Sequence, residues 1–314
     1  ANGIADDLAS TILLASFSQI ILAPSMNPVM WSNLATQENY QKLLGRGIGF
    51  IAPDVGDMAC GESGTGRFPE PKVIYDRIIS NIINRKNIAN QFKNVSIVIT
   101  AGPTIENIDP VRFVSNRSSG KQGFAIASEL SRRGAKVTLI SGPVNIPFPK
   151  CANIIQVITA QEMFEKTISQ LPADILICCA AVSDWKFIPK TSANEKIDSK
   201  NKIKKTNEEL LFKTLKNPDI LATIAKSKLR PNLVIGFSAE TNNIIKNAKS
   251  KLISKEIDLI IANDVSENKV FGEDSNKVFL IDKNNCEEWC EQSKSSIAFN
   301  LADKINKIFT TANI

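Results

Sequence analysis

Two glycine-bearing stretches of the chain combine residue types that could do chemistry. The first, "ACGESGTGRFPEP" at 59–71, sets a lone cysteine, Cys60, beside three closely spaced glycines. It is not a phosphate-binding P-loop, because no lysine and helix start follow the glycines. Glycines at this density leave the backbone little conformational preference, which suits a loop that closes over a substrate and delivers one side chain to it. We predict such a loop here.

The second stretch, "SNRSSGKQG" at 115–123, leads into an amphipathic helix. Its Ser-Ser-Gly sequence places backbone N–H groups at the helix N-terminus, where the helix dipole favours an anion. Taken alone, such a sequence is as often a simple capping turn. The preceding loop adds Asp109, Arg112 and Asn116, a polar cluster that favours a binding site. We therefore predict that an anion binds at the carboxyl edge of the sheet.

This region does not fit a nicotinamide dinucleotide site. Such a site needs three glycines within six residues, whereas Gly102 and Gly120 lie eighteen positions apart. The second strand also ends in Ser141 and Gly142, where an acidic residue would bind the ribose. The chain contains no histidine, so no step can use an imidazole from this polypeptide.

Composition limits the class of protein and its partners. The 314 residues carry a net charge of +6, with lysines scattered along the chain, so we expect no nucleic-acid partner. No apolar run reaches the length of a membrane span, so we expect no membrane insertion. The six cysteines form neither a CxxC pair nor a disulfide ladder, which favours a reducing cytoplasm.

The elements that would position these residues begin with an incomplete parallel α/β domain. The chain starts at Ala1 inside a helical pattern with no capping turn, so we expect an N-terminally truncated piece of a longer protein. The predicted elements of this part are helix 4–17, strand 20–24, helix 32–46, strand 48–53 and helix 72–86.

A second series of elements follows a polar linker at 89–94. Strands alternate with helices, which predicts a doubly wound sheet. The charged segment 186–209 lacks an apolar period, so we predict an arm, a lid or a disordered segment. The predicted elements are strand 95–100, helix 121–133, strands 136–141 and 153–158, helix 160–170, strand 174–180, helix 218–227, strand 233–239, helix 241–254, strand 258–263, a hairpin near 277–284 and helix 292–309.

Several motifs occur together in one order. They are "APSMNPVMW", "ACGESGTGR", "ITAGPTIENIDPVRFVSNRSSGKQGFAIA", "AAVSDW", "KIKK", "NPDI", "GFSAETNN" and "DLIIANDVS". Together they resemble the bifunctional coenzyme A biosynthesis family, which joins a phosphopantothenoylcysteine decarboxylase to a phosphopantothenate–cysteine ligase; the ligase likeness covers about 93–314. The implied fold is α/β: the C-terminal part of a flavodoxin-like flavoprotein domain at 1–88, the linker at 89–94 and a Rossmann-like doubly wound ligase domain at 95–314.

For the ligase, the resemblance implies that the carboxylate of 4′-phosphopantothenate attacks the α-phosphorus of CTP and that the amine of L-cysteine then displaces CMP. Both steps develop negative charge, so cations, Mg²⁺ and oriented donors matter more than a strong base. By motif matching, Asn116 and Lys202 are catalytic and Asp184 binds metal. The implied nucleotide-binding residues are Ser119, Gly120, Ala180, Ala181, Asp184, Lys202, Asn217, Pro218, Asp219, Ile220, Phe237 and, one helical turn apart and able to face one phosphate chain, Lys251 and Lys255.

For the decarboxylase, the resemblance implies FMN, with Asn27 binding the substrate carboxylate and Cys60 making the final proton transfer. The family's histidine base and flavin loops lie upstream of Ala1, so we expect an incomplete FMN site. We predict that this chain alone neither holds FMN well nor decarboxylates, and stoichiometric flavin absorbance in a purified sample contradicts that. The resemblance also implies a homo-oligomer: a ligase dimer whose arm reaches towards the partner's site, and a larger assembly through the flavin domain.

Each assigned residue also has a purely structural interpretation. Asn116 fits a turn, Asp184 a helix cap and Phe237 the core, and the "KIKK" run fits a solvated surface. The alternative function is a non-catalytic binding or regulatory subunit of the flavin-domain type. The matched order of the motifs favours the ligase.

Overall fold

The computed structural model describes residues 1–16, 20–58, 61–150, 152–191, 197, 200–205, 209–265 and 273–312. These residues form two compact units, 1–88 and 89–314. The segment predicted as a linker, 89–94, packs within the second unit: the Phe92 side chain is buried there, and its N–H donates to the Arg133 carbonyl at 3.0 Å.

The first unit contains short strands and amphipathic helices. The glycine stretch that we predicted to be a loop is partly β-hairpin, since residues 63–67 pair antiparallel with residues 54–57. Gly66 is required there, because a Cβ would lie 2.1 Å from the Met26 carbonyl oxygen. Cys60 lies outside the described residues. The elements are α1 (Leu8–Ala15), β1 (Ile21–Leu22), α2 (Pro28–Ser32), α3 (Leu34–Gly45), β2 (Gly49–Phe50), β3 (Asp54–Asp57), β4 (Ser63–Arg67) and α4 (Pro71–Ile88).

The second unit is built on one large sheet, which confirms the predicted α/β class. The elements are β5 (Ser96–Ala101), β6 (Ile105–Asn107), β7 (Phe113–Ser115), α5 (Lys121–Arg132), β8 (Lys136–Ser141), β9 (Asn153–Gln156), α6 (Ala160–Ser169), β10 (Ile175–Cys178), β11 (Trp185–Lys190), β12 (Leu211–Lys216), α7 (Ile220–Ala225), β13 (Leu233–Glu240), α8 (Ile244–Ser254), β14 (Leu259–Asp264), β15 (Ser275–Ile281), β16 (Cys286–Ser293) and α9 (Lys294–Ala312). The strand order of the sheet is β16-β15-β14-β13-β10-β5-β8-β9, parallel from β9 to β14 and antiparallel at β15 and β16.

The central strands form because their apolar runs can be buried on both faces of the sheet. Alternate residues of β10 face opposite cores: Ile175 and Ile177 pack with α5 and α9, whereas Leu176 packs with α6, α7 and α8. All three side chains are fully buried. The helices therefore cover both faces, as a doubly wound sheet requires.

Two segments without predicted strands are paired in the structure. The loop after β5 contains the antiparallel pair β6–β7. The start of the predicted arm, 186–190, lies in a second antiparallel pair, whose other strand, β12, begins just after the arm ends; the pair β11–β12 aligns Trp185 with Lys216 and Lys190 with Leu211. Residues 192–196, 198–199 and 206–208 of the predicted arm lie outside the described residues.

A fully buried arginine joins α5 to α9. The Arg133 guanidinium donates to the Glu129 carboxylate at 2.6 Å, to the Phe299 carbonyl at 3.0 Å and to the Asp303 carboxylate. These bonds satisfy a charge that would be costly to bury alone. They fix α9 against α5, and the first residues of both helices line the cavity described below.

Candidate active site

A cavity lies where the strand order of the sheet reverses. The parallel strands run in the order β9-β8-β5-β10-β13-β14, so connections diverge from the neighbours β5 and β10. A ligand crevice is expected at the carboxyl ends of such strands. A cavity of about 510 Å³, the site cavity, opens there. Among its lining residues are the predicted Asn116, Ser119, Gly120, Ala180, Ala181, Asp184, Phe237 and Lys251.

A smaller pocket of about 170 Å³ adjoins the site cavity. Ala180, Asp184 and Phe237 line both, so the two spaces meet at these residues. Phe237 is half-buried on β13 and can offer a ring face at this junction. Five more of the predicted nucleotide-binding residues line the adjoining pocket: Asn217, Pro218, Asp219, Ile220 and Lys255.

The N-terminus of α5 presents backbone N–H groups at the site cavity. Its N-cap, Gly120, has φ of 73° and makes no side-chain capping bond. A Cβ at this position would lie 2.9 Å from Val144 Cγ1. Gly123 lets the helix approach β5 closely, since a Cβ there would lie 2.6 Å from Ala101 Cβ. The glycines thus set a helix N-terminus, which favours anions, beside the end of β5.

Asn116 connects the two loops that form the cavity floor. Its Nδ2 donates to the Val182 carbonyl at 3.0 Å and lies 3.5 Å from the Ala181 carbonyl. The side chain is exposed and lines the site cavity, so the amide can bond a ligand there in exchange for its weaker contact with the Ala181 carbonyl.

Asn217 is held in the adjoining pocket by a residue that sequence analysis missed. Its Nδ2 donates to Glu106 Oε1 at 3.0 Å and to the Ser183 carbonyl at 2.9 Å. Glu106 is buried, and the same oxygen accepts the Ala160 N–H at 3.1 Å. Because Glu106 comes 111 positions before Asn217, only the folded topology brings them together.

The two predicted lysines of α8 line different spaces. Lys251 lines the site cavity and pairs with Glu240 at 2.7 Å. Lys255 lines the adjoining pocket and pairs with Asp219 at 2.8 Å. Each ammonium therefore has a carboxylate that an anionic ligand must compete with or accept as a neighbour.

Two cysteines lie at the site without nucleophilic character. Cys178 lines the adjoining pocket and Cys179 the site cavity. Burial raises the pKa of each thiol to about 12. Both thiols are therefore neutral near pH 7 and act as small packing groups, because the thiolate is the nucleophilic form.

Lys202 is the predicted catalytic residue that the structure does not bring to the site cavity. It lines a separate cavity of about 630 Å³ with Arg112. The neighbouring residue explains this position: the Ile203 N–H donates to Asp109 Oδ2 at 3.1 Å, and Arg112 Nη2 donates to the Ile203 carbonyl at 2.6 Å. We call these contacts the arm latch.

Asp109 is the centre of the arm latch. Burial raises the pKa of its carboxyl, but hydrogen bonds from Arg112 and from the N–H groups of Val111 and Ile203 outweigh burial and hold that pKa well below its ordinary value. The carboxylate therefore keeps its charge at neutral pH, and its bonds to Arg112 are charge-assisted.

We expect Asp109→Asn to release the arm. The neutral amide cannot match the charge-assisted bonds, so trypsin should cleave after Lys202 about tenfold faster, as followed by mass spectrometry. Asp282→Asn is the matched control, because Asp282 also accepts two backbone N–H bonds in a turn but contacts no arm residue. Equal cleavage in both variants and the parent would contradict the latch.

Asp184 is a candidate metal ligand that would act alone among protein carboxylates. Across the described ranges, no group of three or more Asp, Glu, Cys or His side chains could hold a metal ion. Mg²⁺ is commonly held by one or two carboxylates, waters and substrate phosphates. Asp184 lines both spaces and fits that pattern, with phosphate oxygens completing the site.

Asn27 in the first unit has a structural role. Its Oδ1 accepts the Val29 N–H at 2.8 Å as the N-cap of α2, and its Nδ2 donates to the Glu62 carboxylate. A substrate carboxylate would have to replace Glu62 at this amide. Cys60, its predicted catalytic companion, falls in the part of the chain left undescribed.

Sequence reasoning missed much of one wall of the site cavity. The missed side chains are polar or cationic and come from three distant elements. Lys121 and Gln122 lie inside a motif quoted above but were not assigned a role, and no local signal distinguished Asn276 and Lys294. They are Lys121 and Gln122 of α5, Asn276 of β15 and Lys294 of α9.

Family models match nearly the whole chain. The model described as "DNA/pantothenate metabolism flavoprotein C-terminal domain" matches residues 92–309, and the model described as "Flavoprotein" matches residues 1–83. Within the ranges described, no helix is long and apolar enough to cross a membrane.

Curated relatives are similar over most of the chain. The coenzyme A biosynthesis bifunctional protein CoaBC of Haemophilus influenzae is 44% identical over 98% of this chain and 73% of that protein. The protein of the same name from Escherichia coli K12 is 44% identical over 89% of this chain and 67% of its own length.

Solved structures agree with these relatives. The C-terminal domain of a CoaBC bifunctional protein matches with a TM-score of 0.57 and 32% identity, over 71% of this chain and 99% of that one. The DNA/pantothenate metabolism flavoprotein from Streptococcus pneumoniae matches with a TM-score of 0.59 and 26% identity, over 68% and 99%. The predicted resemblance is confirmed, and the chain belongs to the family of bifunctional coenzyme A biosynthesis proteins.

Proposed function

We propose that residues 89–314 ligate 4′-phosphopantothenate to L-cysteine at the expense of CTP. The observation that carries this proposal is the site cavity at the switch point of the sheet, which contains the α5 N-terminus, Asn116 and Asp184. It continues past Phe237 into a pocket of a size that suits a pyrimidine nucleoside better than a whole nucleotide. This arrangement supports a nucleotide bound with its base in the adjoining pocket and its phosphates in the site cavity.

In the first step, a carboxylate oxygen of phosphopantothenate attacks the α-phosphorus of CTP. The bond to the bridging oxygen breaks, and its electron pair leaves with pyrophosphate. We propose that the α5 N–H groups and Lys251 stabilise the negative charges of the phosphates electrostatically. When bound, Mg²⁺ would neutralise phosphate charge, and Asp184 would hold it.

In the second step, the amine of cysteine attacks the acyl carbon and CMP leaves as the acyl–oxygen bond breaks. The amine proton passes to solvent as the amide forms. Negative charge develops on the acyl oxygen, and we propose that Asn116 Nδ2 donates to it in place of the Ala181 carbonyl, its weaker partner at 3.5 Å.

The test is product formation with each substrate omitted in turn. We expect 4′-phosphopantothenoylcysteine, CMP and pyrophosphate in equal amounts when CTP, Mg²⁺, phosphopantothenate and cysteine are all present, as measured by mass spectrometry. Omission of any one should stop the reaction, and ATP should replace CTP poorly. Product formed with ATP as fast as with CTP overturns the nucleotide assignment, and no product with either overturns the ligase.

For residues 1–88 we propose a part in the family's FMN-dependent decarboxylation of the ligase product, with an FMN site that these residues leave incomplete, as expected above. Asn27 would hold the substrate carboxylate in place of Glu62, and Cys60 would donate the final proton. FMN, when bound, would supply the redox chemistry. CO₂ release with FMN supplied is measured in the parent and in Asn27→Leu: we expect none from either chain, and CO₂ released at the same rate by both would remove Asn27 from the site.

A purely regulatory binding subunit is not favoured. Its sequence would be free to lose Asn116, Asp184 and the α5 N-terminus, yet all three line one cavity here.

The free thiols Cys286 and Cys290 support our assignment of the chain to a reducing cytoplasm.

We further propose a homodimer through the β11–β12 pair, with Lys202 serving the partner's site. This pair exposes large apolar side chains, including Trp185 at 42% and Phe212 at 42% of their surface. We expect Phe212→Asp to give a monomer by light scattering with much reduced ligase activity. Leu229→Asp, an equally exposed leucine outside the pair, is the control. A Phe212→Asp variant that stays dimeric contradicts this interface.

A further inference from the structure

One wall of the site cavity contains polar groups that the protein leaves without partners. Within the described part of the chain, five buried side-chain oxygens have no hydrogen-bond partner. Four of them line this one cavity. Asn276 is 5% exposed and Ser238 7% exposed, so solvent does not satisfy them fully. Such groups are uncommon in folded proteins and mark a place where a ligand supplies the missing bonds. The four are Gln122, Ser238, Asn263 and Asn276.

Two lysines line the same cavity beside these groups. Lys121 is the first residue of α5, and Lys294 is the first residue of α9. Burial and the nearby charge of Lys121 lower the pKa of the Lys294 ammonium. Two ammonium groups held near each other repel, and a multiply charged anion between them would relieve that repulsion. Such an anion would compete with Asp274, which pairs with Lys121 at 2.7 Å, and with the Glu273 carbonyl, which accepts from Lys294 Nζ.

The fold holds Lys294 in this position. Its backbone N–H donates to the Asp274 carbonyl at 2.9 Å, and Gln122 Nε2 donates to the Lys294 carbonyl at 3.2 Å. The Arg133 network fixes α9 to α5 further along the helix. The backbone of Lys294 is therefore fixed at a helix start beside the cavity, and its Nζ donates to the Glu273 carbonyl.

We infer that Lys294 and Asn276 bind the β- and γ-phosphates of the nucleotide and the pyrophosphate that leaves. This inference rests on the proposed function. The adjoining pocket lies on the Phe237 and Asp184 side of the site cavity and does not include either residue, so a nucleotide bound with its base there would extend its phosphates towards this wall. The Lys294 ammonium compensates the charge that the leaving oxygen acquires. The unpartnered atom of Asn276 is Oδ1, an acceptor that cannot bond a phosphate oxygen, so the assignment takes this amide with Oδ1 and Nδ2 exchanged, which turns its N–H₂ towards the phosphate.

The experiment compares ligands that contain and lack the terminal phosphates. Binding of CTP, CMP and inorganic pyrophosphate with Mg²⁺ is measured by calorimetry on the parent chain and on Lys294→Met. We expect the variant to bind CTP and pyrophosphate about ten- to a hundredfold more weakly, the usual loss for a hydrogen bond to a charged group, and CMP within about twofold of the parent. Lys294→Arg should recover most of the affinity.

Lys304→Met is the matched control, since Lys304 lies on the same helix and pairs with Glu287 outside the cavity. Asn276→Ala is a second variant should Lys294→Met fail to fold; we expect it to bind pyrophosphate about tenfold more weakly with CMP unchanged. Equal losses for CTP and CMP, or losses confined to the KM for cysteine, overturn the inference. If the parent chain binds CTP, CMP and pyrophosphate and both variants bind them equally well, the inference is overturned and the proposed function stands. If the parent binds no nucleotide, the proposed function is overturned as well.

Discussion

Asn116→Ala is expected to lower the rate of 4′-phosphopantothenoylcysteine formation about 10²- to 10³-fold, the usual cost of removing one donor that stabilises a developing oxyanion. The amide connects the loop before α5 to the Val182 carbonyl and faces the site cavity. Asn116→Asp should be at least as slow, because a carboxylate of the same shape repels anionic substrates. Product is measured by mass spectrometry under saturating substrates.

The control for this variant is Asn107→Ala. Asn107 is an exposed amide on β6, nine positions earlier, and does not line the site cavity. It should keep the parent rate. A fall of the same size in both variants would show that the hairpin region is merely sensitive to substitution, and no fall in Asn116→Ala would remove Asn116 from catalysis.

Gly142→Ala is expected to destabilise the second unit by about 3 kcal/mol and to lower its Tm by about 6–12 °C. A Cβ at Gly142 would lie 1.7 Å from the Pro103 carbonyl oxygen and 2.7 Å from its carbonyl carbon. Backbone, not a flexible side chain, would have to move. Pro103 also bridges to Ala181 at the cavity floor, so the same shift should weaken CTP binding.

Thermal unfolding followed by circular dichroism measures this effect. Gly45→Ala is the control, because a Cβ at Gly45 has nothing within 4 Å and the backbone there is compatible with alanine. A Gly142→Ala variant as stable as the parent would mean that the loops after β5 and β8 can separate without cost, which contradicts a rigid cavity floor.

The parallel sheet could be predicted because its signal is local. The apolar runs containing Ile99, Ile177, Ile235 and Ile261 are short and continuous, and each is a buried strand in the structure. The antiparallel pairs β6–β7 and β11–β12 were missed since few of their residues are buried and apolar side chains are mixed with polar ones along each strand. Their pairing depends on partners across a loop, which apolar periodicity does not report.

The residues of the candidate site also divide into those that the sequence could predict and those that it could not. Asn116 and Asp184 were identified because motifs carry them, and the cavity brings them together. Lys294 and Asn276 could not be found from spacing, since they follow the α5 N-terminus by more than 150 positions and reach it only through the packing of α9 and β15. The position of Lys202 was missed because it depends on the arm latch.

Pyrophosphate release from CTP tests the central claim most directly. The parent chain, with Mg²⁺ and cysteine, should release pyrophosphate only when 4′-phosphopantothenate is added, since the carboxylate is the attacking group. In steady-state turnover, Asn116→Ala and Lys202→Ala should release it at least about 100-fold more slowly, because in Asn116→Ala each further release must wait for the slowed second step. The surface variant Lys277→Met should match the parent. Equal release in all four chains, or release without phosphopantothenate, would contradict the assignment of this site to the ligase.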